Sequence, residues 1–138
     1  MPGSVAAGDY TSYADTAESA NGPRVGNNEI GYTQSGESAS YLLTAAKAGK
    51  YKVVYWLAGD APANTQATLY LVKGSDCKAQ QQLALLDVPN FGTGSYTTYK
   101  AYAAAGAPVK LVKGVQEVTL CLEDVAYLNV QKLVFTAV

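Results

Sequence analysis

YKVVYWLAG, residues 51–59, alternates in steps of two. Tyr51, Val53, Tyr55 and Leu57 share one face, and Lys52, Val54 and Trp56 share the other. A strand with one face in a core has this period. It recurs on either side. QATLYLVKG places Ala67, Leu69 and Leu71 together, QLALLDV follows a polar loop, and YLNVQKLVFTAV closes the chain. PVKLVKG and VQEVTLCLED meet at Lys113-Gly114, a hairpin signal because glycine accepts a positive φ. In the second of these, Val115, Val118, Leu120 and Leu122 form the apolar set, with Cys121 on the opposite face from Leu120 and Leu122. The alanine runs in YLLTAAKAGKY and AYAAAGAP are too short to stand as helices and run into Gly49, Gly106 and Pro108. They read as strand ends entering turns. Asp15–Asn28, rich in Gly, Asn and Ser, reads as a loop. No helical segment separates the strands, so parallel βαβ units are excluded. The fold class is all-β, an antiparallel two-sheet sandwich of roughly nine to ten short strands.

Composition narrows function. The chain has 138 residues, a formal net charge of −1, and neither a basic run nor a membrane-length apolar run. Nucleic-acid and membrane partners are therefore not expected. One domain is expected over residues 5–138, with residues 1–4 (MPGS) set aside as a cloning remnant. Histidine is absent, which removes the usual general base and the usual zinc ligand. Cys77 and Cys121 are too few for a zinc site. Two readings of them stand: buried free thiols, or one disulfide, which implies an oxidising compartment. Eleven tyrosines against two phenylalanines and one tryptophan suit half-exposed surfaces, because tyrosine joins a ring to a polar tip. Three of them crowd GTGSYTTYKAY, residues 92–102, just after a glycine loop. Alternating strand tyrosines or a sugar-stacking platform would each produce that pattern.

Several stretches then match one family in order. Val5-Ala6-Ala7-Gly8-Asp9-Tyr10 stands where I-E-A-E-D-Y opens the family. Ile30-Gly31-Tyr32, followed by Gly36-Glu37-Ser38 and Tyr41, matches V-G-Y-I-x-x-G-D-W-x-x-Y. Ala48-Gly49-Lys50-Tyr51-Lys52-Val53 matches A-G-x-Y-x-V, and Thr93-Gly94-Ser95-Tyr96-Thr97-Thr98-Tyr99 matches T-G-x-W-x-x-W. Gly114 to Leu120 matches G-x-x-x-V-x-L, and Asn129 to Phe135 matches N-x-D-x-I-x-F. The chain resembles a family-6 carbohydrate-binding module, a galactose-binding-like β-jelly roll, over nearly its whole length. That resemblance implies a cleft at the loop end of the sandwich, with Tyr32 and Tyr96 sandwiching a sugar ring and Asn129 hydrogen-bonding its hydroxyls. Glu18 stands at an acidic position of the loop before the cleft.

The chemistry fits those residue types: a pyranose has an apolar C–H face for a ring, and an amide both donates and accepts. The plain alternatives are a strand tyrosine at Tyr96, a core residue at Tyr32, a turn amide at Asn129 and a solvated carboxylate at Glu18. Tyr99 and Tyr102 are expected to pack, and Trp56 to fill core, with a second sugar site on the concave face as its alternative. Ser38 replaces the tryptophan that such a second site uses in the family. The calcium carboxylates of the family fall on Ala6, Gly8 and Gln131, so no metal and no cofactor is expected.

The resemblance implies a non-catalytic module that takes an enzyme to a β-linked plant or algal polysaccharide. Its partners would be that saccharide and a covalently linked catalytic domain, in a secreted, monomeric protein. A protein-interaction sandwich with the sugar site lost is the alternative. An enzyme is not expected, since glycoside hydrolysis needs paired carboxylates and nothing pairs Asp60, Asp76, Asp87, Glu117, Glu123 or Asp124.

Overall fold

A computed structural model describes residues 3–14, 24–31, 33–60, 65–78, 81–126 and 128–138. Twelve strands and no α-helix occur among them. The long strands are β5 (Ser38–Ala45), β6 (Gly49–Gly59), β7 (Ala67–Lys73), β8 (Leu83–Val88), β9 (Ser95–Ala103), β11 (Gly114–Asp124) and β12 (Leu128–Ala137). The short ones are β1 (Ser4–Ala6), β2 (Ser12–Ala14), β3 (Arg24–Val25), β4 (Glu29–Ile30) and β10 (Val109–Leu111). They form two antiparallel sheets. In the seven-stranded sheet β6 and β12 lie at the centre; β9 and β10 pair with the free edge of β6, and β1 and β4 with that of β12. The five-stranded sheet runs β2-β5-β11-β7-β8.

The alternation read from YKVVYWLAG holds. Tyr51, Val53, Tyr55 and Leu57 are buried between the sheets, in one core with Leu133 and Phe135 of the neighbouring β12 and Leu69, Leu71 and Leu120 of the other sheet. Tyrosines serve this core because each hydroxyl finds a backbone carbonyl. Tyr41 donates to Ala7 O (2.6 Å), Tyr51 to Lys47 O (2.9 Å) and Tyr55 to Ala84 O (2.8 Å). Left unpaired, a buried hydroxyl would cost about 1–3 kcal/mol. Burial holds the Tyr55 phenol well above its ordinary range.

Four sequence expectations need correction. Lys113-Gly114 does not close a hairpin: β10 pairs with β6, while β11 pairs with β5 and β7. Gly114, at φ 107°, carries the chain from one sheet to the other, and the Gln116 amide meets the backbone of Val112 and Gly114 at that corner. Val115 leaves the apolar set and is 67% exposed, because the inward row of β11 begins at Val118. Arg24–Val25 is a short strand on β4 rather than loop; residues 15–23 lie outside the described residues. The sheet also starts before residue 5: Ser4 pairs with Val134, and Gly3 O accepts from Phe135 N at 2.9 Å. Backbone pairing takes any side chain, so composition gave no sign of it.

Cys77 and Cys121 form a disulfide, with Cα atoms 6.0 Å apart. It ties the β7–β8 connection across the outer face of the five-stranded sheet. Tyr70 donates to Cys77 O (3.3 Å) and Thr119 to Gly74 O (2.6 Å). Tyr70, Val72 and Cys121 are buried there with Cys77 and Leu85 against them, as a small apolar cluster separate from the main core. The bridge spans a sequence separation of 44 residues, which in the chain-entropy model contributes about 4 kcal/mol. The Cys77→Ser/Cys121→Ser protein is expected to melt about 12 °C lower by calorimetry, at roughly 3 °C per kcal/mol. A melting temperature within about 3 °C of the parent would contradict a stabilising role for the bridge.

Candidate functional site

Tyr96 and Tyr99 leave the ladder because β9 is too long for its partner. Ser95 pairs with Gly59 and Lys100 with Leu57, so Tyr96, Thr97, Thr98 and Tyr99 stand opposite Ala58 alone. A strand that carries extra residues must bulge outward. Local bonds hold the bulge. Ser95 Oγ accepts from the backbone N–H of Thr97 (3.2 Å) and Thr98 (3.0 Å), and Thr93 Oγ1 donates to Ser95 O (3.0 Å). Gly94 enters it at φ 91°, a region open to glycine and strained for other residues. Tyr96 emerges 41% exposed.

A second irregularity faces the first. In β12, Val130 pairs with Leu57 and Lys132 with Trp56, which leaves Gln131 as an extra residue. Asn129, opposite Ala58, donates from Nδ2 to Tyr96 O at 3.2 Å. Gln131 Nε2 donates to Glu29 Oε2 (3.4 Å), and the Tyr99 hydroxyl donates to Glu29 Oε1 (3.0 Å). Burial raises the Tyr99 phenol well above its usual range; the Glu29 charge and the hydrogen bond to it add, while a bond with Asn129 opposes. Gly31 lies against this group. A Cβ there would come 3.0 Å from both Asn129 Oδ1 and a Val25 methyl, so the bare glycine leaves the space that the amide fills.

Of the four residues expected at a sugar site, Tyr96 and Asn129 are brought together. Asn129 is not a turn amide bonded to its own backbone, and Tyr96 is not an ordinary ladder tyrosine. Tyr32 and Glu18 lie outside the described residues. Tyr102 packs, its ring 5.5 Å from that of Phe91. Tyr99, also expected to pack, is half-buried, and its hydroxyl reaches Glu29. Glu29 itself was missed, since a lone acid before Ile30 carries no signal until β4 is set beside β12. Trp56 is not core filling either. It is half-buried on the outer face of the seven-stranded sheet, with Lys132 Nζ 4.9 Å from its ring. Ser38 lies on the other sheet, so Trp56 cannot take over the ring missing at that position.

A calcium does not fit the residues at its family position. A Cβ at Gly8 would stand 2.1 Å from Asn28 Oδ1 and 2.7 Å from Asn28 O, so no carboxylate can be built there. The Arg24 guanidinium donates to Gly8 O at 2.8 Å and lies 4.0 Å over the Tyr10 ring, placing a cationic side chain on that turn. Among the described residues no group of three His, Cys, Asp or Glu side chains gathers to hold a metal ion. A groove of about 250 Å³ between β1 and β5 is distinct from the site, and its one ring, Tyr41, is buried.

Solved structures resemble this fold over nearly the whole chain. A module of Clostridium stercorarium in complex with cellobiose is 23% identical, with a TM-score of 0.70, covering 98% of this chain and 93% of that one. The fold is that of a family-6 carbohydrate-binding module. A carbohydrate-binding module from Cellvibrio mixtus lichenase 5A in complex with cellotriose is 16% identical, with a TM-score of 0.69, covering 99% and 98%. A β-1,3-glucan binding module from Bacillus halodurans is 19% identical, with a TM-score of 0.69, covering 97% and 95%. No family model and no curated protein matches the sequence.

The bond between Tyr99 and Glu29 can be read directly. In Glu29→Gln the Tyr99 ring resonances should titrate at lower pH than in the parent, because a charge that opposes phenolate formation is gone. An NMR pH titration checks this, and an unchanged Tyr99 midpoint would contradict the contact.

Proposed function

We propose that this chain is a non-catalytic carbohydrate-binding module, a single unit over residues 5–138 extended at its edge by Gly3 and Ser4. In this reading it carries a secreted polysaccharide-degrading enzyme to a β-linked plant or algal polysaccharide. The observation that carries it is the bulge: Tyr96 is lifted out of the sheet as an exposed ring and Asn129 is bonded beside it, on a fold shared with modules solved with cellobiose and cellotriose. A sugar ring would stack its C–H face on Tyr96, with Tyr32 as the second ring. Asn129 would donate and accept, and Glu29 and Glu18 would accept from ring hydroxyls. Rigid rings with two χ angles lose little entropy on binding. The disulfide supports an oxidising, extracellular setting.

Affinity per site should be modest, since one stacked ring gives limited contact, and fusion to a catalytic domain would supply the effective concentration. Affinity electrophoresis against xylan, mixed-linkage β-glucan, laminarin and agarose tests the reading. One polymer should retard the protein, Tyr96→Ala should weaken that by at least about tenfold, a loss near 1.4 kcal/mol, and a chelator should change nothing. Retardation by none of them, or retardation that survives Tyr96→Ala, contradicts this site; the former favours a protein-interaction sandwich.

A further inference from the structure

The sequence shows no basic run, yet strand register assembles a basic face. On the outer side of the seven-stranded sheet, Lys132 stands opposite Trp56, Val134 opposite Val54 and Thr136 opposite Lys52. Lys110 of β10 stands opposite Lys50, and Ala101 and Ala103 of β9 flank Trp56 and Val54. Lys50, Lys52 and Lys110 are exposed, and Lys132 covers part of the tryptophan ring. The register partners of these lysines are Trp56 and Ala6 for Lys132, Thr136 for Lys52, and each other for Lys50 and Lys110. Among the described residues, the carboxylates that border this sheet are Glu29 on β4, Asp9 in the turn after β1 and Asp60 beyond β6; all stand at its loop end, Glu29 held by Tyr99 and Gln131 and Asp9 by Asn28. At about 3.3 Å per residue, Lys52 lies about 13 Å along β6 from Trp56, and Lys50 about 7 Å further. The face thus offers a ring with alanines beside it, followed by a row of ammonium groups. Its other end adjoins Asn129, two pairs beyond Trp56.

We propose that this face is a second saccharide surface, specific for an anionic polysaccharide whose sugars carry carboxylate or sulfate groups. Trp56 takes the C–H face of one sugar. Lys132, Lys52, Lys50 and Lys110 take the negative groups along the chain, with a field that is strongest at low salt. The choice of a sugar polymer over a phosphodiester rests on the proposed loop-end site, with which this face is continuous, since a tryptophan stacks on sugars and on nucleobases alike. The surface does not depend on the Tyr96 cleft, and Tyr96→Ala separates the two.

Trp56 is the only tryptophan, so its emission reports the face directly. Titration with polygalacturonate, with dextran sulfate and with their neutral counterparts, methyl-esterified pectin and dextran, tests the proposal. A saturable change with an anionic polymer and not with its neutral partner is expected; which polymer acts identifies carboxylate or sulfate. The response should persist in Tyr96→Ala and weaken at least tenfold between 50 and 300 mM salt, values chosen to shorten the screening length from about 14 to about 6 Å. It should weaken at least tenfold in Lys50→Glu/Lys52→Glu, whose side chains are exposed and leave the core intact. No response to either anionic polymer, an equal response to the neutral ones, or an unaltered response in the charge-reversed protein overturns the proposal. Tighter binding of a single-stranded oligodeoxynucleotide than of either polysaccharide overturns it in favour of nucleic acid.

Discussion

β6 and β12 are paired antiparallel along nearly their whole length, with Val53 opposite Phe135 and Tyr55 opposite Leu133 in the core. Shifting that register by one residue would turn the buried row to solvent. The buried row therefore holds the opposite row in place, and that row carries the residues of the two proposals: Ala58 with Asn129, Trp56 with Lys132, Lys52 with Thr136. β9, β10, β1 and β4 all dock on these two strands. Each inherits its side-chain facing from them.

Two bulges interrupt this ladder at the candidate site. Both occur near Ala58, one in β9 and one in β12, and each frees side chains that a regular strand would spend on alternation. Tyr96 and Tyr99 rise from one, and Gln131 reaches Glu29 from the other. The small side chains at Gly31 and Ala58 leave room for the amide between them. The other sheet is treated oppositely. The disulfide-tied connection lies over its outer face and buries Tyr70, Val72 and Thr119, and both saccharide surfaces proposed above lie on the seven-stranded side.

The fold was legible in the sequence because its signal is local. Period-2 runs such as residues 51–59 and 115–122 identify strands and, with the exception of Val115, their inward faces. The tyrosine excess was legible only in part. A ring with a polar tip suits half-exposed surfaces, but Tyr41, Tyr51 and Tyr55 are buried and use that tip on backbone carbonyls whose positions no local pattern records. Features set by sheet assignment were not legible at all. The chain between Leu111 and Gly114 looks like a hairpin, yet it changes sheets, because β10 has its apolar partners on β6. Likewise Trp56 reads as core from its neighbours in sequence, and only the register shows that it shares a face with Lys132. Asn129 and Tyr96 were found through the family pattern; Glu29 and the lysine row needed the pairing of distant strands.

The central claim is that sugar binds where the β9 bulge meets β12. Amide NMR of the labelled protein, titrated with oligosaccharides of β-1,4-xylan, β-1,4-glucan, β-1,3-glucan and agarose, tests it most directly. At least one oligosaccharide is expected to shift the amides of Tyr96–Tyr99, Asn129 and Gln131 while those of β7 and β8 stay fixed. Shifts confined to the five-stranded sheet, or none with any of the four, would contradict it.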